Sequence, residues 1–447
     1  MRAWEKALLA LTLCVLLGGC SQFSQVRDLL SVPSYSAQNE ALKRAFESDY
    51  GKSVQYKSPI SGQYLSAFVV TDLDGDDTDE ALVFFLPDAF TTTVHVGVLD
   101  YIGGEWQRTG ELEGGGSDVY SVETIDLDGD GMQEVILCWS TLESGRVMSI
   151  YGCTHSPFSL LRLSETAYDA KLLADLDDDG SMEIVTTYLD PSGGVQTAQA
   201  RVFGKSQSGI SVLDRCDLDS KVRGYGGMIL QRTDTGSVLY VDAYKGETQM
   251  ITEVLSWDAR TSTLQSLLLD GETLTNEQTW RGSAIPCRDL DGDGVPEIPC
   301  QREVLDGSEL WKGGKRLDRQ LYLTQWCAVR DGALVPKLES LVYTTKWLFT
   351  IPDAWRGRFT VRVDQDADKW DFYQTDIETG DSVGYLCSVI FTAETRWEQN
   401  RDTIYADWNE LCTSGDDTVL VYGINTESPL GVGEPQLREA FGYLGGE

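Results

Sequence analysis

The residues best suited to chemistry form a nine-residue segment that begins at Asp126 and ends at Glu134. It reads Asp-Leu-Asp-Gly-Asp-Gly-Met-Gln-Glu, with carboxylates at positions 1, 3, 5 and 9 and glycines at positions 4 and 6. A hard cation such as Ca²⁺ takes about six to eight oxygen ligands, and glycine permits the positive φ of a tight loop. The spacing therefore predicts a cation site, to which the carbonyl of Met132 adds a ligand.

Four copies of this frame are complete, and we predict one Ca²⁺ in each, about four in all. Leucine stands at position 2 of every copy, and the copies begin 54, 49 and 114 residues apart. They are named loop 1 (72–80), loop 2 (126–134), loop 3 (175–183) and loop 4 (289–297). The predicted ligands, including the position-7 carbonyl, are Asp72, Asp74, Asp76, Thr78 and Glu80; Asp126, Asp128, Asp130, Met132 and Glu134; Asp175, Asp177, Asp179, Ser181 and Glu183; and Asp289, Asp291, Asp293, Val295 and Glu297.

The long gap before loop 4 has room for an eroded fifth copy. Aligning Gly236 with the glycine at position 6 of loop 3 puts Gln231, Thr233, Thr235 and Leu239 at the four carboxylate positions. Uncharged groups cannot replace carboxylates around a divalent ion. We therefore predict five repeats of roughly 55 residues, the fourth with a turn between strands and no metal site.

The elements around the loops are predicted to be strands. An EF-hand loop ends in a glutamate at position 12 and lies between helices, whereas here the glutamate is at position 9. Short β-branched and aromatic runs of strand length follow at once, as in 81–85, 135–139 and 184–188. Each unit is therefore predicted to be strand, metal loop, strand and then further strands.

The loops and their flanks resemble the FG-GAP/VCBS repeats of integrin-α-like β-propellers over roughly residues 53–345. The resemblance implies a four-stranded blade per repeat, with a Ca²⁺ loop joining its first two strands. The chain departs from the family pattern in two ways. Asp77 replaces the glycine at position 6 of loop 1, and the Phe-Gly and Gly-Ala-Pro signatures are not evident. The predicted fold is mainly β: a Ca-loop propeller with five detectable blades, one of them degenerate, and room for six or seven, plus a small C-terminal α+β module.

The N-terminus predicts export and a lipid anchor. Residues 1–19 combine a short charged start with an apolar core that is too short to span a bilayer, as in a secretory signal. Leu-Gly-Gly-Cys at 17–20 resembles the lipobox of bacterial lipoproteins, which implies lipidation of Cys20; the alternative is an ordinary signal with a chance cysteine. Residues 20–52 are predicted to be a tether with one short helix, Asn39–Asp49. The expected location is the extracytoplasmic face of a bacterial cell membrane.

Composition agrees with an exported protein and excludes some partners. The chain carries 36 basic and 71 acidic residues, a net charge of −35, which becomes −36 without the signal. Such a surface argues against binding to nucleic acid or to anionic lipid. Eight cysteines lie beyond Cys20, an even number that permits disulfides without requiring them. Cys287 and Cys300 flank loop 4 on strands expected to pair.

No catalytic constellation is evident in the sequence. Only His95 and His155 are present, without zinc-ligand spacing, and no phosphate loop or dinucleotide motif occurs. Tryptophans such as Trp257, Trp280 and Trp326 are more readily explained as core residues than as sugar-stacking platforms. Residues 346–447 lack the loops and are predicted to be the α+β module.

Two classes of function remain open from the sequence. The first is a non-enzymatic, lipid-anchored Ca²⁺ propeller that binds a protein or glycan ligand at the cell surface. The second is an envelope enzyme or sensor whose active part is the C-terminal module, with the propeller as its scaffold. The lack of a nucleophile or histidine motif favours the first, although fold alone does not assign function.

Overall fold

The computed structural model describes residues 37–142, 145–155, 157–190, 197–207, 209–303, 322–343, 346–364, 367–376 and 382–444. The predicted signal, Cys20 and most of the tether lie outside the described residues. The helices are α1 (Ala37–Tyr50), α2 (Glu394–Asn400) and α3 (Glu434–Ala440), with a 3₁₀ turn at Asp353–Trp355. Helix α1 contains the predicted helix Asn39–Asp49. No helix in the part of the chain that the structure describes is long and apolar enough to cross a membrane.

The described strands form six antiparallel sheets, so the protein is mainly β as predicted. The strands of the first four sheets are β1 (Gln55–Tyr56), β2 (Phe68–Thr71), β3 (Glu80–Leu86), β4 (His95–Ile102) and β5 (Glu105–Glu113); β6 (Asp118–Ile125), β7 (Glu134–Ser140), β8 (Arg146–Thr154) and β9 (Ser159–Tyr168); β10 (Ala170–Ala174), β11 (Glu183–Asp190), β12 (Thr197–Ser206) and β13 (Gly209–Asp217); and β14 (Gly224–Thr233), β15 (Gly236–Tyr244), β16 (Met250–Asp258) and β17 (Thr263–Ser266).

The remaining strands form the fifth and sixth sheets. They are β18 (Ile298–Glu303), β19 (Tyr322–Arg330), β20 (Ala333–Tyr343), β21 (Trp347–Thr350), β22 (Phe359–Asp364), β23 (Lys369–Thr375), β24 (Ser382–Ala393), β25 (Asn409–Ser414), β26 (Asp417–Tyr422) and β27 (Phe441–Tyr443). The fifth sheet has the order β18-β19-β20-β21-β27, and the sixth has the order β22-β23-β24-β26-β25. The predicted domain division after residue 345 thus runs through the fifth sheet, which includes β21 and β27.

Each sheet packs face to face on the next one along the chain. Successive side chains of a strand point to opposite faces, so Leu137 in β7 contacts the first sheet while Ile136 and Cys138 contact the third. The third and fourth sheets share another apolar cluster, and so do the fourth and fifth and the fifth and sixth. The order of the sheets in space therefore follows their order in the sequence, as in blades of a propeller.

Helix α1 covers the face of the first sheet that points away from the second. Leu42 and Phe46 are fully buried against Val83, Phe85 and other residues of that face. The Phe46 ring lies 5.0 Å from the Phe85 ring in an edge-on arrangement. The helix therefore shields from water the outer apolar face of the first sheet.

The fourth sheet has a hairpin where the first three sheets have a metal loop. Strands β14 and β15 stay paired as far as Thr233 and Gly236, so only two residues remain in the turn. The predicted turn between strands is thus confirmed. The nine-residue register is not kept, because Gln231 and Leu239 lie within the paired strands.

A β-bulge recurs at one position in the four sheets that carry a loop. In each of them the residue after the loop glutamate pairs with the next strand (β4, β8, β12 or β19) beside the bulge. One residue of the strand after that (β5, β9, β13 or β20) is left over. A bulge redirects the extra side chain. The extra residues are Thr109, Leu163, Leu213 and Lys337.

Candidate metal centres

Each of the four predicted loops gathers three of its four carboxylates around one point, and the third aspartate is outside this group. In every loop the first and second aspartates and the glutamate offer oxygens within 4.8 Å of one another. Loops 1, 2 and 3 join the first two strands of a repeat; loop 4 is closed by the Arg288–Glu297 bridge and leads directly into β18. The loops therefore occupy the place that the resemblance to FG-GAP/VCBS repeats implies.

Positions 4 and 6 of every loop have a positive φ, which explains their residue types. Glycine fills most of these positions, but Asp77 has φ 67° and Asp178 has φ 63°. Aspartate tolerates this left-handed region better than most residues do. The departure at Asp77 thus leaves the backbone path of loop 1 unchanged.

Backbone amides inside each loop fix the carboxylates. In loop 2 the amide of Leu127 donates to Glu134 Oε2 at 2.8 Å, and the amides of Gly129 and Gly131 donate to the two oxygens of Asp126. The position-7 amide donates to the third aspartate, as Met132 does to Asp130 at 2.8 Å. The bond from the position-2 amide to the glutamate recurs in all four loops, so it is part of their construction.

The second aspartate of loops 1, 2 and 3 has a buried oxygen with no hydrogen-bond partner among the described residues. These atoms are Oδ1 of Asp74, Asp128 and Asp177, and Glu80 Oε1 is in the same situation. A buried charge without a partner is unfavourable unless a cation compensates it. The donor set is made of carboxylates, which suit a hard cation. These residues therefore fit Ca²⁺.

Burial and mutual repulsion disturb the ionisation of the loop glutamates. Burial raises the pKa of Glu80, Glu134 and Glu183 to about 7; nearby aspartates add to the rise, and the leucine amide opposes it. A bound divalent cation supplies the opposite charge that favours the ionised form. The three sites thus combine a high density of negative charge with partial exclusion of water.

The loops also connect neighbouring sheets. The position-2 side chains Leu73, Leu127 and Leu176 are fully buried in the apolar clusters between one sheet and the next. The Leu73 carbonyl accepts a hydrogen bond from the Gln133 amide of loop 2 at 2.8 Å. A side chain at Gly75 would lie 2.9 Å from the Gly131 carbonyl oxygen. A change in loop geometry is therefore transmitted to the packing between sheets.

A basic side chain lies beside each loop, but only one contacts more than one ligand carboxylate. His155, Lys205 and Arg232 come from the following sheet. His155 lies 3.2 Å from Asp74 of loop 1, Lys205 donates to the Asp128 carbonyl of loop 2, and Arg232 lies 3.9 Å from Asp175 of loop 3. In loop 4 the Lys337 ammonium contacts three ligand carboxylates, with Nζ 3.0 Å from Asp291, 2.7 Å from Asp293 and 2.8 Å from Glu297. Its hydrogen bond lowers the pKa of Asp293.

The fourth sheet, which lacks a metal loop, is joined to the segment before loop 4 by a buried ion pair. Arg281 is fully buried and places Nη2 2.7 Å from Asp242 Oδ1. Its other nitrogens donate to the Ile285 carbonyl and the Thr252 hydroxyl. The second oxygen of Asp242 accepts from the Cys287 amide at 2.9 Å. Every charged group of this pair is therefore hydrogen-bonded.

Other residues singled out in the sequence have structural surroundings. His95 pairs with Glu111 at 2.8 Å on the surface of the first sheet. Trp257 and Trp326 are buried in the core, whereas Trp280 is partly exposed. All eight cysteines from Cys138 to Cys412 are free thiols in the structure.

No protein-family model and no curated protein matches this sequence. Among solved structures the chain is similar to a putative 6-phosphogluconolactonase from Bacteroides uniformis, at 12% identity and a TM-score of 0.27, over 74% of this chain and 94% of that one. It is similar to a rhamnogalacturonan lyase from Bacillus licheniformis, at 13% identity and a TM-score of 0.29, over 74% and 76%. A periplasmic gluconolactonase from Pseudomonas aeruginosa matches at 13% identity and a TM-score of 0.25, over 74% and 88%.

Proposed function

We propose that this protein is a lipid-anchored, Ca²⁺-binding β-propeller of the FG-GAP/VCBS type that binds a protein or glycan ligand outside the cell. The observation that carries the calcium assignment is the buried, unpartnered aspartate oxygen repeated in loops 1, 2 and 3. The loop geometry around it is the same each time. In this proposal the ion organises the sheets, because the position-2 leucines of the loops lie in the apolar clusters between one sheet and the next.

The end of the sheets opposite the metal loops is the better candidate for the ligand-binding surface. In each repeat the loop joins the first and second strands, so the turn from the second to the third strand lies at the other end. Phe90 in that turn of the first sheet is 94% exposed, and Leu142 in the same turn of the second sheet is 78% exposed. Large apolar residues at corresponding turns of adjacent sheets offer a contact surface.

The test is a screen of the mature chain on glycan and protein arrays, with Ca²⁺ and with EDTA. We expect ligand binding that needs Ca²⁺, because the ion fixes the packing between sheets. Phe90→Ser and Leu142→Ser should weaken that binding at least tenfold. Ile102→Ser, at an exposed position at the metal-loop end, is the matched control and should bind normally. Binding that survives both turn substitutions would place the ligand elsewhere, including on the C-terminal module.

The anchor is tested separately at Cys20. The Leu-Gly-Gly-Cys sequence predicts that Cys20 becomes the lipidated N-terminus of the mature protein. Cys20→Ser should release the protein from membranes or leave the precursor uncleaved, because the acyl chains supply the membrane affinity. Membrane fractionation and mass measurement decide the matter. A Cys20→Ser variant that fractionates and migrates like wild type would contradict the lipoprotein assignment. Cys14→Ser is the control and should leave both the membrane association and the mass of the mature protein unchanged.

A further inference from the structure

Loop 4 differs from the other three loops in what its carboxylates contact, and the inference from this difference rests on the calcium assignment proposed above. The Oε1 atom of Glu297 lies 2.8 Å from the Lys337 ammonium, whereas the Oε1 atom of Glu80 in loop 1 has no hydrogen-bond partner. Asp291 also pairs with Lys337, while its counterparts in the other loops keep a buried oxygen unpartnered. The lysine therefore takes the oxygens that a cation would use.

The position of Lys337 in the fold explains how it reaches the loop. It is the extra residue of the bulge in β20, where the sheets of loops 1, 2 and 3 have Thr109, Leu163 and Leu213. A Cβ added at Gly204 would meet both Leu213 Cδ1, at 2.9 Å, and Glu183 Cγ, at 3.2 Å, so the bulge residue of the third sheet lies beside its loop glutamate. The bulge residue thus lies beside the loop in the third and fifth sheets, and Lys337 is the one cation among the four bulge residues.

We propose that Lys337 is a built-in cation of loop 4, which holds the fifth sheet together without calcium, so that the chain binds Ca²⁺ at loops 1, 2 and 3 only. An ammonium among three carboxylates offsets their mutual repulsion. A calcium ion at the same point would have to displace it, because the two cations compete for the same oxygens and repel each other. The bulge residue therefore decides whether a loop of this type takes a metal.

The experiment counts bound Ca²⁺ by native mass spectrometry and calorimetry on the mature chain. Wild type should bind three ions. Lys337→Leu copies the bulge residue of the second and third sheets and should bind four. Leu213→Lys moves the ammonium into the third sheet and should reduce the count to two. Asp291→Asn should leave the wild-type count at three, whereas Asp128→Asn should lower it to two.

The outcomes separate this inference from the calcium assignment itself. Four ions in wild type, or a count unchanged by Leu213→Lys, would overturn the role of Lys337 while leaving calcium binding intact. No bound ion in any variant would overturn the proposed function. If Lys337→Leu fails to fold, the wild-type count together with Leu213→Lys and Asp291→Asn still decides between three sites and four.

Discussion

Removal of Ca²⁺ should lower the free energy of unfolding by several kcal/mol. An ion that binds only the folded state contributes about 2.7 kcal/mol at a free concentration of 100 times its Kd. Three independent sites would together contribute about 8 kcal/mol, which is comparable with the roughly 5–15 kcal/mol of a typical native protein. Urea unfolding of the mature chain in saturating Ca²⁺ and in EDTA measures the difference, with Mg²⁺ as the control ion.

The loosening should be local, and hydrogen exchange can map it. The amides of Leu73, Leu127 and Leu176 donate to loop glutamates that lose their cation in EDTA, so their protection should fall. The amide of Leu290 donates to Glu297, which keeps its contact with Lys337, and should remain protected. Residues 229–244 of the fourth sheet should also remain protected, because their ladder has no metal loop.

Two results would contradict this expectation. Equal loss of protection in residues 229–244 and in loop 3 would mean either that the hairpin of the fourth sheet binds metal or that the sheets open together. An unfolding curve that is the same with Ca²⁺ and with EDTA would mean that the loops fold without the ion.

The sequence predicted the loops well because their geometry is local. Nine residues contain the aspartates, the glutamate and the residues that tolerate positive φ, and the hydrogen bond from the Leu127 amide to Glu134 spans only seven positions. The period of the copies likewise predicted the sheets that carry them. The leucine at position 2 was visible as a recurring residue, and its role in packing between sheets required the structure.

What the sequence could not provide comes from distant residues. Lys337 lies 40 positions after Glu297 and is the extra residue of a bulge in β20. Arg281 lies 39 positions after Asp242 and belongs to no repeat element. The hairpin at Thr233 has the glycine of the repeat but not its nine-residue register. Without the carboxylates that accept hydrogen bonds from the loop amides, the two strands pair as far as Thr233 and Gly236. Aligning the repeats compares residues at equal positions in the sequence, so it does not show that a lysine from a later strand contacts the carboxylates of loop 4.

Loss of the Arg281 guanidinium should destabilise the protein more than loss of an ordinary ion pair. In Arg281→Met the carboxylate of Asp242, only 4% exposed, keeps the Cys287 amide and the Thr252 hydroxyl but loses its cation. Removing one partner of a buried pair typically costs about 3–5 kcal/mol, because the remaining charge is left uncompensated. Urea unfolding in saturating Ca²⁺ is the measurement, so that the metal sites contribute equally to both proteins.

The control is the same substitution at Arg356, whose exposed contact with Asp353 is 3.0 Å long. Arg356→Met should change stability by less than about 1 kcal/mol, since solvent screens such pairs. The double variant Arg281→Met/Asp242→Asn should recover part of the loss, because it leaves no buried charge without a partner. A loss at Arg281 no larger than the loss at Arg356 would show that packing and the strand ladder, rather than this ion pair, connect the fourth sheet to loop 4.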